Sequence, residues 1–136
     1  MILCSGAFDG LHSGHIAYLY QAAALDPSLP LVVAIAPDAY IRQAKHREPR
    51  WPQGSRALTV GAIRGVSRTV MHDEPSIAAT IRRLSPRYVV KGLDWLHTIP
   101  QDVAAACVEV GATLTFVDAE QRHGAEVDWT AIGAAL

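Results

Sequence analysis

The sequence predicts an α/β fold in which helices cover both faces of a five-stranded parallel sheet. Short apolar runs rich in Val, Ile and Leu alternate along the chain with longer stretches whose apolar residues lie three or four positions apart. Half of the residues are hydrophobic and 18% are charged, which is enough to bury a sheet on both sides. A chain of 136 residues fits one hydrophobic core. We therefore expect a single domain over residues 1–136, built as a Rossmann-like three-layer sandwich.

The individual elements follow from these patterns in chain order. Strands are predicted at residues 2–5, 31–36, 68–71, 88–91 and 113–117, and helices at residues 13–25, 54–66, 75–84 and 101–110. Ser13 and Asp38 are predicted to cap helices, and Pro75 and Pro100 mark helix starts. The segment 45–55 has neither period and is predicted as a loop, whereas residues 128–136 fit one short closing helix.

Composition and charge exclude several classes of protein. The 12 basic and 13 acidic residues give a formal charge of −1, so no global field is available to hold a nucleic-acid backbone and no nucleic-acid partner is expected. Cys4 and Cys107 lack metal or disulfide spacing and are interpreted as small buried hydrophobic residues. No apolar run approaches the length of a membrane span, and no basic region precedes an apolar stretch at the N-terminus. We expect a cytoplasmic protein without a membrane partner.

The strongest local signal lies where the first predicted strand meets the first predicted helix. Its sequence is Gly6-Ala7-Phe8-Asp9-Gly10-Leu11-His12-Ser13-Gly14-His15. Phosphates bind at such junctions because a helix N-terminus offers unpaired N–H groups and a partial positive charge, and glycines let the backbone approach the anion. His12 and His15 are spaced so that both can donate hydrogen bonds to one phosphate. Two other interpretations stay open for this pair: a helix cap beside a surface residue, or part of a metal site, for which no third ligand is evident nearby.

Residues 6–9 followed by residues 12–15 resemble the GTFD…HxGH signature of the cytidylyltransferase-like nucleotidylyltransferases. That family includes glycerol-3-phosphate cytidylyltransferase and the adenylyltransferase domain of bifunctional ADP-heptose synthase. Ala7 stands where the family usually has Thr. Residues 33–38 resemble its second strand, Lys45 matches a lysine that contacts phosphate, residues 56–70 resemble a helix that begins with arginine, and residues 89–95 resemble the VKGxDY segment. The similarity covers nearly the whole chain.

The resemblance implies the activity of a nucleotidylyltransferase. Such an enzyme transfers the nucleotidyl group of ATP or CTP to a phosphorylated small molecule, here a sugar phosphate or a polyol phosphate, and releases pyrophosphate. It also implies Mg²⁺ as the cofactor, because Mg²⁺ binds phosphate oxygens and keeps several waters. A homodimer is expected on the same ground. Residues 89–95 are more similar to the heptose branch than to the glycerol-phosphate branch, which favours ATP, although CTP stays open.

The same resemblance assigns roles to individual residues. The catalytic residues are His12, His15 and Lys45. The residues expected to bind the nucleotide are Ala7, Phe8, Asp9, Gly14, Lys91, Gly92, Asp94 and Thr130. The residues expected to bind the acceptor are Asp38 and Arg56. No metal ligand is assigned, although Asp9 is a candidate outer-shell partner of Mg²⁺.

The sequence departs from the family pattern in three places. The family follows its fifth strand with a run of Ser and Thr residues that contact phosphate, whereas residues 125–130 here are Ala-Glu-Val-Asp-Trp-Thr, and only Thr130 offers a hydroxyl. Gly54 and Ser67 stand where the family has acidic residues. A second hypothesis is therefore a nucleotide-binding protein of the same fold that has lost turnover. His72, which precedes two acidic residues, is predicted to lie in an exposed loop rather than in a metal site.

Overall fold

The computed structural model describes residues 1–73 and 75–118, and these form one parallel sheet with helices on both faces. The five strands are β1 (Ile2–Gly6), β2 (Leu31–Ile35), β3 (Val66–Met71), β4 (Tyr88–Gly92) and β5 (Thr113–Val117). The five α-helices are α1 (Ser13–Ala24), α2 (Asp38–Lys45), α3 (Gln53–Gly61), α4 (Ile77–Leu84) and α5 (Gln101–Val110), and a 3-10 helix spans Leu93–Trp95. The predicted α/β fold with a five-stranded parallel sheet is confirmed.

The strand order places the reversal of chain direction at the first strand. The order across the sheet is β3-β2-β1-β4-β5, and all four neighbouring pairs are parallel. The chain therefore runs outward from β1 through β2 to β3, and then returns to add β4 on the other side of β1. In open parallel sheets, ligands bind outside the carboxyl ends of the strands where the order reverses. The topology therefore predicts a ligand site at the carboxyl ends of β1 and β4.

Alternation along the strands divides the core into two layers. One cluster contains Ile2, Cys4 and Val33 together with the inner faces of α1 and α3. The other contains Leu3 and Val32 together with α4 and α5. Since successive side chains of a strand point to opposite faces, this pattern produces a helix–sheet–helix sandwich. All five residues of β2 are buried, as expected for a strand covered on both sides.

The predicted end of one helix and the predicted extent of one loop are wrong. The helix predicted at residues 54–66 ends at Gly61, because Gly65 takes a positive φ of 93° that turns the chain and Val66 already pairs with β2. The segment predicted as a loop at residues 45–55 is shorter than expected. It is limited to residues 46–52, because Lys45 ends α2 and Gln53 begins α3.

Both predicted N-caps are also wrong. The cap of α1 is His12, whose side chain accepts a hydrogen bond from the Gly14 amide, and Ser13 is the first helical residue. The cap of α2 is Pro37, and the Asp38 carboxylate instead binds the guanidinium of Arg56. The start of α4 is displaced by two residues from the predicted position, because the Ser76 hydroxyl caps it.

Several predictions fall outside the described part of the chain. They are the closing helix at residues 128–136, the altered segment 125–130 and the nucleotide contact of Thr130. The prediction of a single domain over residues 1–136 likewise stays a prediction. Among residues 1–73 and 75–118, no helix is both long and apolar enough to cross a membrane.

We expect Leu19→Ala to destabilise the protein by about 2 to 5 kcal/mol, because the removed side chain is fully buried between α1 and the sheet and leaves a cavity. Leu58→Ala is the matched control, since this leucine is 77% exposed on α3 and should change stability by no more than about 0.5 kcal/mol. Urea denaturation measures both free energies of unfolding. Equal effects of the two substitutions would contradict the layer arrangement.

Candidate active site

A cavity of about 570 Å³ opens at the carboxyl ends of β1 and β4. Its lining combines the loop after β1, the first turn of α1, the end of α2 and the end of β4. Five predicted site residues from separate parts of the chain line it: Ala7, Asp9, His15, Lys45 and Lys91. Phe8, Gly14 and Gly92 also line it. The structure thus brings most of the predicted nucleotide and catalytic residues to one place, whereas His12 and Asp94 are not among the described residues that line the cavity.

The loop between β1 and α1 has a strained backbone. Phe8 has a φ of 49° and Gly10 a φ of 103°, both in the left-handed region. Phe8 is 4% exposed and its ring lies over Gly6, where an added Cβ would come within 2.9 Å of a ring carbon. Gly6 is therefore needed for the ring to lie flat on the backbone. Such strain persists only where surrounding contacts fix it, and it is common at binding sites.

His12 and His15 form a reciprocal cap at the start of α1. The Gly14 amide donates to Nδ1 of His12 at 3.1 Å, and the His12 amide donates to Nδ1 of His15 at 3.2 Å. The rings stack with centroids 3.9 Å apart. Because each Nδ1 accepts a hydrogen bond, each neutral ring carries its hydrogen on Nε2, which becomes a donor. One histidine is therefore a helix cap, as one of the open interpretations expected. The cap is compatible with phosphate binding, because it fixes the tautomer of both rings and leaves each Nε2–H as a donor.

The charge state of His15 follows from its surroundings. Burial, and then electrostatic repulsion of the protonated His15 ring by His12 and Lys45, lower the pKa of His15 from 6.5 to about 4. Its ring also contacts the ring of Phe8, with centroids 5.2 Å apart. At neutral pH the imidazole is therefore uncharged and donates through Nε2–H, without adding a fixed cation to the site.

Asp9 is occupied by contacts within the protein. Its side chain is 1% exposed and accepts hydrogen bonds from the Arg47 guanidinium at 2.6 Å, the Arg50 amide at 2.8 Å and the Trp51 amide at 2.9 Å. Burial raises the pKa of Asp9, but these hydrogen bonds and the charge of Arg47 outweigh it and lower the pKa to about 2. The carboxylate holds the basic loop, residues 46–52, against the loop after β1. The predicted role of Asp9 as an outer-shell partner of Mg²⁺ stays a prediction.

Arg56 and Asp38, the predicted acceptor contacts, form a buried ion pair with an N–O distance of 2.8 Å. Arg56 is 2% exposed, and its guanidinium also donates to the carbonyl oxygens of Ala7 at 2.6 Å and Trp51 at 2.9 Å. Neither residue of the pair is among the described residues that line the cavity. Their contact with an acceptor stays a prediction, and in this structure they stabilise the rim of the cavity.

The end of β4 carries the remaining predicted nucleotide residues. Lys91 is 8% exposed and its ammonium donates to the Ser5 hydroxyl at 2.7 Å. A Cβ added at Gly92 would meet the Asp94 carboxylate, which is the far end of a flexible side chain and can move away. Asp94 itself is exposed. Trp95 lines the cavity and lies under the Lys91 ammonium, 5.0 Å from its ring centroid, so its ring faces the site.

His72 does not lie in an exposed loop, and that prediction is wrong. It is 6% exposed at the end of β3, its amide donates to the Ile35 carbonyl, and its ring contacts that of Tyr40 edge-on at 4.8 Å. Within residues 1–73 and 75–118, no group of three or more His, Cys, Asp or Glu side chains is placed to hold a metal ion. The two cysteines are buried and unbridged, as predicted.

Sequence reasoning did not single out Arg47 as a site residue, although it lines the cavity. Its position two residues after Lys45, in a basic loop, is compatible with a place in the site, but many residues in such loops only face solvent. What distinguishes it is the ion pair with Asp9, whose side chain is far more buried than that of Arg47. This contact joins residues 38 positions apart and is invisible to local pattern analysis.

Asp9→Asn is expected to destabilise the protein at pH 7 by about 1.5 to 3 kcal/mol, because the amide cannot accept from three donors and the ion pair with Arg47 is lost. The folded pKa lies below the unfolded value of 3.8, so the difference between wild type and variant is fully present above that pH and is lost as pH falls towards 2. Asp118→Asn is the control, since this residue is exposed and its carboxylate accepts no hydrogen bond from residues 1–73 and 75–118. Denaturation from pH 7 to pH 2.5 measures all three proteins, and a pH-independent difference would contradict the assignment.

Protonation of His15 is expected to destabilise the fold. Its folded pKa of about 4 lies below the ordinary 6.5, so between these values the unfolded state binds a proton that the native state does not. Stability should therefore fall as pH decreases from 6.5 to 4, and His15→Gln should remove that part of the decrease. Unfolding free energies of both proteins, together with the NMR titration of the His15 ring, provide the test. A midpoint near 6.5 would show that the ring is not desolvated as described.

Comparison with known proteins agrees with this geometry. The family model described as cytidylyltransferase-like matches residues 3–124. A bifunctional protein HldE of Azorhizobium caulinodans is 36% identical over 121 residues, which cover 87% of this chain and 24% of that protein. An FAD synthase of Methanopyrus kandleri is 34% identical over 123 residues, which cover 90% of this chain and 77% of that protein. The chain thus spans about a quarter of the HldE relative.

A solved structure has the same fold. The lipopolysaccharide core biosynthesis protein from Thermoplasma volcanium superposes with a TM-score of 0.72 at 24% sequence identity, covering 86% of this chain and 95% of its own. Since that identity is low, the likeness concerns the fold alone. The family model and the relative that the chain matches over most of its length lead to one conclusion. The chain belongs to the cytidylyltransferase-like family of nucleotidyltransferases.

Proposed function

We propose that this protein transfers the nucleotidyl group of a nucleoside triphosphate to a phosphorylated small molecule and releases pyrophosphate. The observation that carries the proposal is the reciprocal cap of His12 and His15, which holds two imidazole donors at the N-terminus of α1 beside the switch point of the sheet. Helix N-termini at this position of a parallel sheet favour phosphate binding. Family membership supports the same reaction class.

In the proposed reaction, a phosphate oxygen of the acceptor attacks the α-phosphorus in line. A new P–O bond forms, the bond from the α-phosphorus to the bridging oxygen breaks, and its electron pair leaves with pyrophosphate. The Nε2–H groups of His12 and His15 donate to the non-bridging oxygens, whose charge grows in the transition state. Lys45 is exposed at the end of α2, lines the cavity and contributes positive charge near His15. The protein positions the two substrates and stabilises the charge of the transition state. No side chain needs to form a covalent intermediate.

Mg²⁺ fits this site as a substrate-bound ion. Within the described residues no group of three or more His, Cys, Asp or Glu side chains is placed to hold a metal ion, and Asp9 already accepts three hydrogen bonds from the protein. Mg²⁺ commonly relies on substrate phosphates and waters instead. When bound, it would neutralise charge on the phosphate oxygens. ATP is the favoured donor on the similarity of residues 89–95, a sugar phosphate or polyol phosphate is the proposed acceptor, and a cytoplasmic homodimer is the proposed state.

Thermal unfolding with Mg²⁺ and each of ATP, CTP, GTP and UTP tests the donor without any assumption about the acceptor. A nucleotide at about a hundred times its dissociation constant should stabilise the fold by roughly 2.7 kcal/mol, which is several degrees in a domain of this size. One nucleotide should stabilise more than the others. If none does, the proposed function is wrong.

Turnover is then measured as pyrophosphate release with a panel of sugar and polyol phosphates. His12→Ala and His15→Ala should each lower kcat/KM by about 100- to 1000-fold, as observed when one transition-state donor is removed. His97→Ala is the control, because this histidine is exposed and does not line the cavity. Tight nucleotide binding without pyrophosphate release across the panel would instead favour the binding protein that has lost turnover.

A further inference from the structure

The cavity has a wall on the face of the sheet opposite α1. Leu3 and Val89 pack into the cluster beneath α4 and α5. Because strand side chains alternate, Ser5 and Lys91, each two residues further on, point to that same face at the carboxyl ends of β1 and β4. Both line the cavity, and so does Val103 in the first turn of α5. The site therefore has a polar position that is separate from the N-terminus of α1.

The cation at this position forms no ion pair within the described part of the chain, although the charge of Asp94 acts on it from beyond ion-pair distance. Lys91 is 8% exposed, and none of the ion pairs formed among residues 1–73 and 75–118 includes it. Its ammonium donates one hydrogen bond to the uncharged Ser5 hydroxyl at 2.7 Å and lies over the Trp95 ring. An ammonium has three hydrogens to donate. A buried cation whose direct contacts are all neutral groups is costly, and it is commonly retained where a ligand completes its contacts.

We propose that Lys91 binds the phosphate group of the acceptor, with Ser5 holding its ammonium in place. The proposal rests on the function proposed above and names the residue that receives the second substrate. The resemblance assigns Lys91 to the nucleotide, but the face of the sheet on which it lies favours the acceptor.

Charge distribution explains why the acceptor is favoured over the triphosphate. The N-terminus of α1, His15 and Lys45 already form one group of donors and cations, since the charge of Lys45 lowers the pKa of His15. In-line attack requires the acceptor to approach the α-phosphorus from the side opposite the departing pyrophosphate. Two anions then come close together, and a cation on the acceptor side offsets their repulsion. Lys91 donates a hydrogen bond to Ser5, which directly precedes Gly6 and the loop that carries the proposed phosphate donors, so a cation is available next to that loop for the acceptor.

Titration of inorganic phosphate tests the proposal, with the donor site first filled by the α,β-methylene analogue of the stabilising nucleotide and Mg²⁺. Lys91→Met keeps the buried stem and removes the charge, so phosphate affinity should fall about tenfold or more, as expected when a charge-assisted hydrogen bond is lost. The affinity for the analogue should change by less than about threefold on the same reasoning. Lys45→Met should instead weaken binding of the analogue and change the phosphate affinity much less. Lys91→Arg should bind phosphate more tightly than Lys91→Met does. Arg42→Met is the control, because its exposed ion pair with Glu48 lies off the cavity.

Two results would overturn the proposal: unchanged phosphate affinity in Lys91→Met, or a loss of analogue affinity as large as the loss of phosphate affinity. Ser5→Ala provides a second variant if Lys91→Met does not fold, and it should weaken phosphate binding by a smaller factor. If no nucleotide binds the wild type, the proposed function fails on its own. Phosphate titration of the free protein and Lys91→Met then still decides whether Lys91 forms an anion site.

Discussion

The buried guanidinium of Arg56 joins the three segments that form the rim of the cavity. It donates to the carbonyl of Ala7 in the loop after β1, to the carbonyl of Trp51 in the basic loop, and to the carboxylate of Asp38 at the start of α2. A planar guanidinium with five N–H donors suits such a junction, whereas an ammonium would not match the geometry. Asp9 also links the loop after β1 to the basic loop, because its carboxylate accepts hydrogen bonds from the amides of Arg50 and Trp51. The donors of the site are therefore held before any ligand arrives.

In this arrangement the uncharged hydrogen-bond donor of the site and its positive charges are on different side chains. His15 is neutral at physiological pH because of burial and neighbouring cations, and the reciprocal cap leaves Nε2–H as its donor. The permanent charges lie around it, on Lys45 at the end of α2 and on Lys91 at the end of β4. In the proposed reaction, a neutral donor would stabilise the charge that develops on a phosphate oxygen without repelling a metal cation bound to the nucleotide. Preorganised donors of this kind are effective because little reorganisation is needed during the reaction.

Local patterns predicted most of the framework. All five strands and the helices α1, α4 and α5 were expected within a few residues, because alternation and helical periodicity are properties of short segments. The motif at residues 6–15 was placed correctly between β1 and α1 for the same reason. The predicted helices do not include α2, although Asp38 is expected to cap a helix, because the predicted loop begins at Lys45 and the intervening segment is short. His72 was misplaced because its acidic neighbours suggested exposure, while its packing against Tyr40 comes from another strand–helix unit.

The sequence by itself determined the class of fold, the order of its elements and the position of the motif with its three glycines and two histidines, because those depend on periodicity and on one contiguous stretch of residues. Only the tertiary structure decided what the individual charged residues do. Asp9 meets the Arg50 amide across 41 positions, and Arg56 meets the Ala7 carbonyl across 49, so neither contact leaves a local signal. Both residues hold the rim of the cavity, and Lys91 faces the layer opposite α1. The physical reason is that a side chain's partners are set by strand order and register, which bring distant segments together and which no short run of residues specifies.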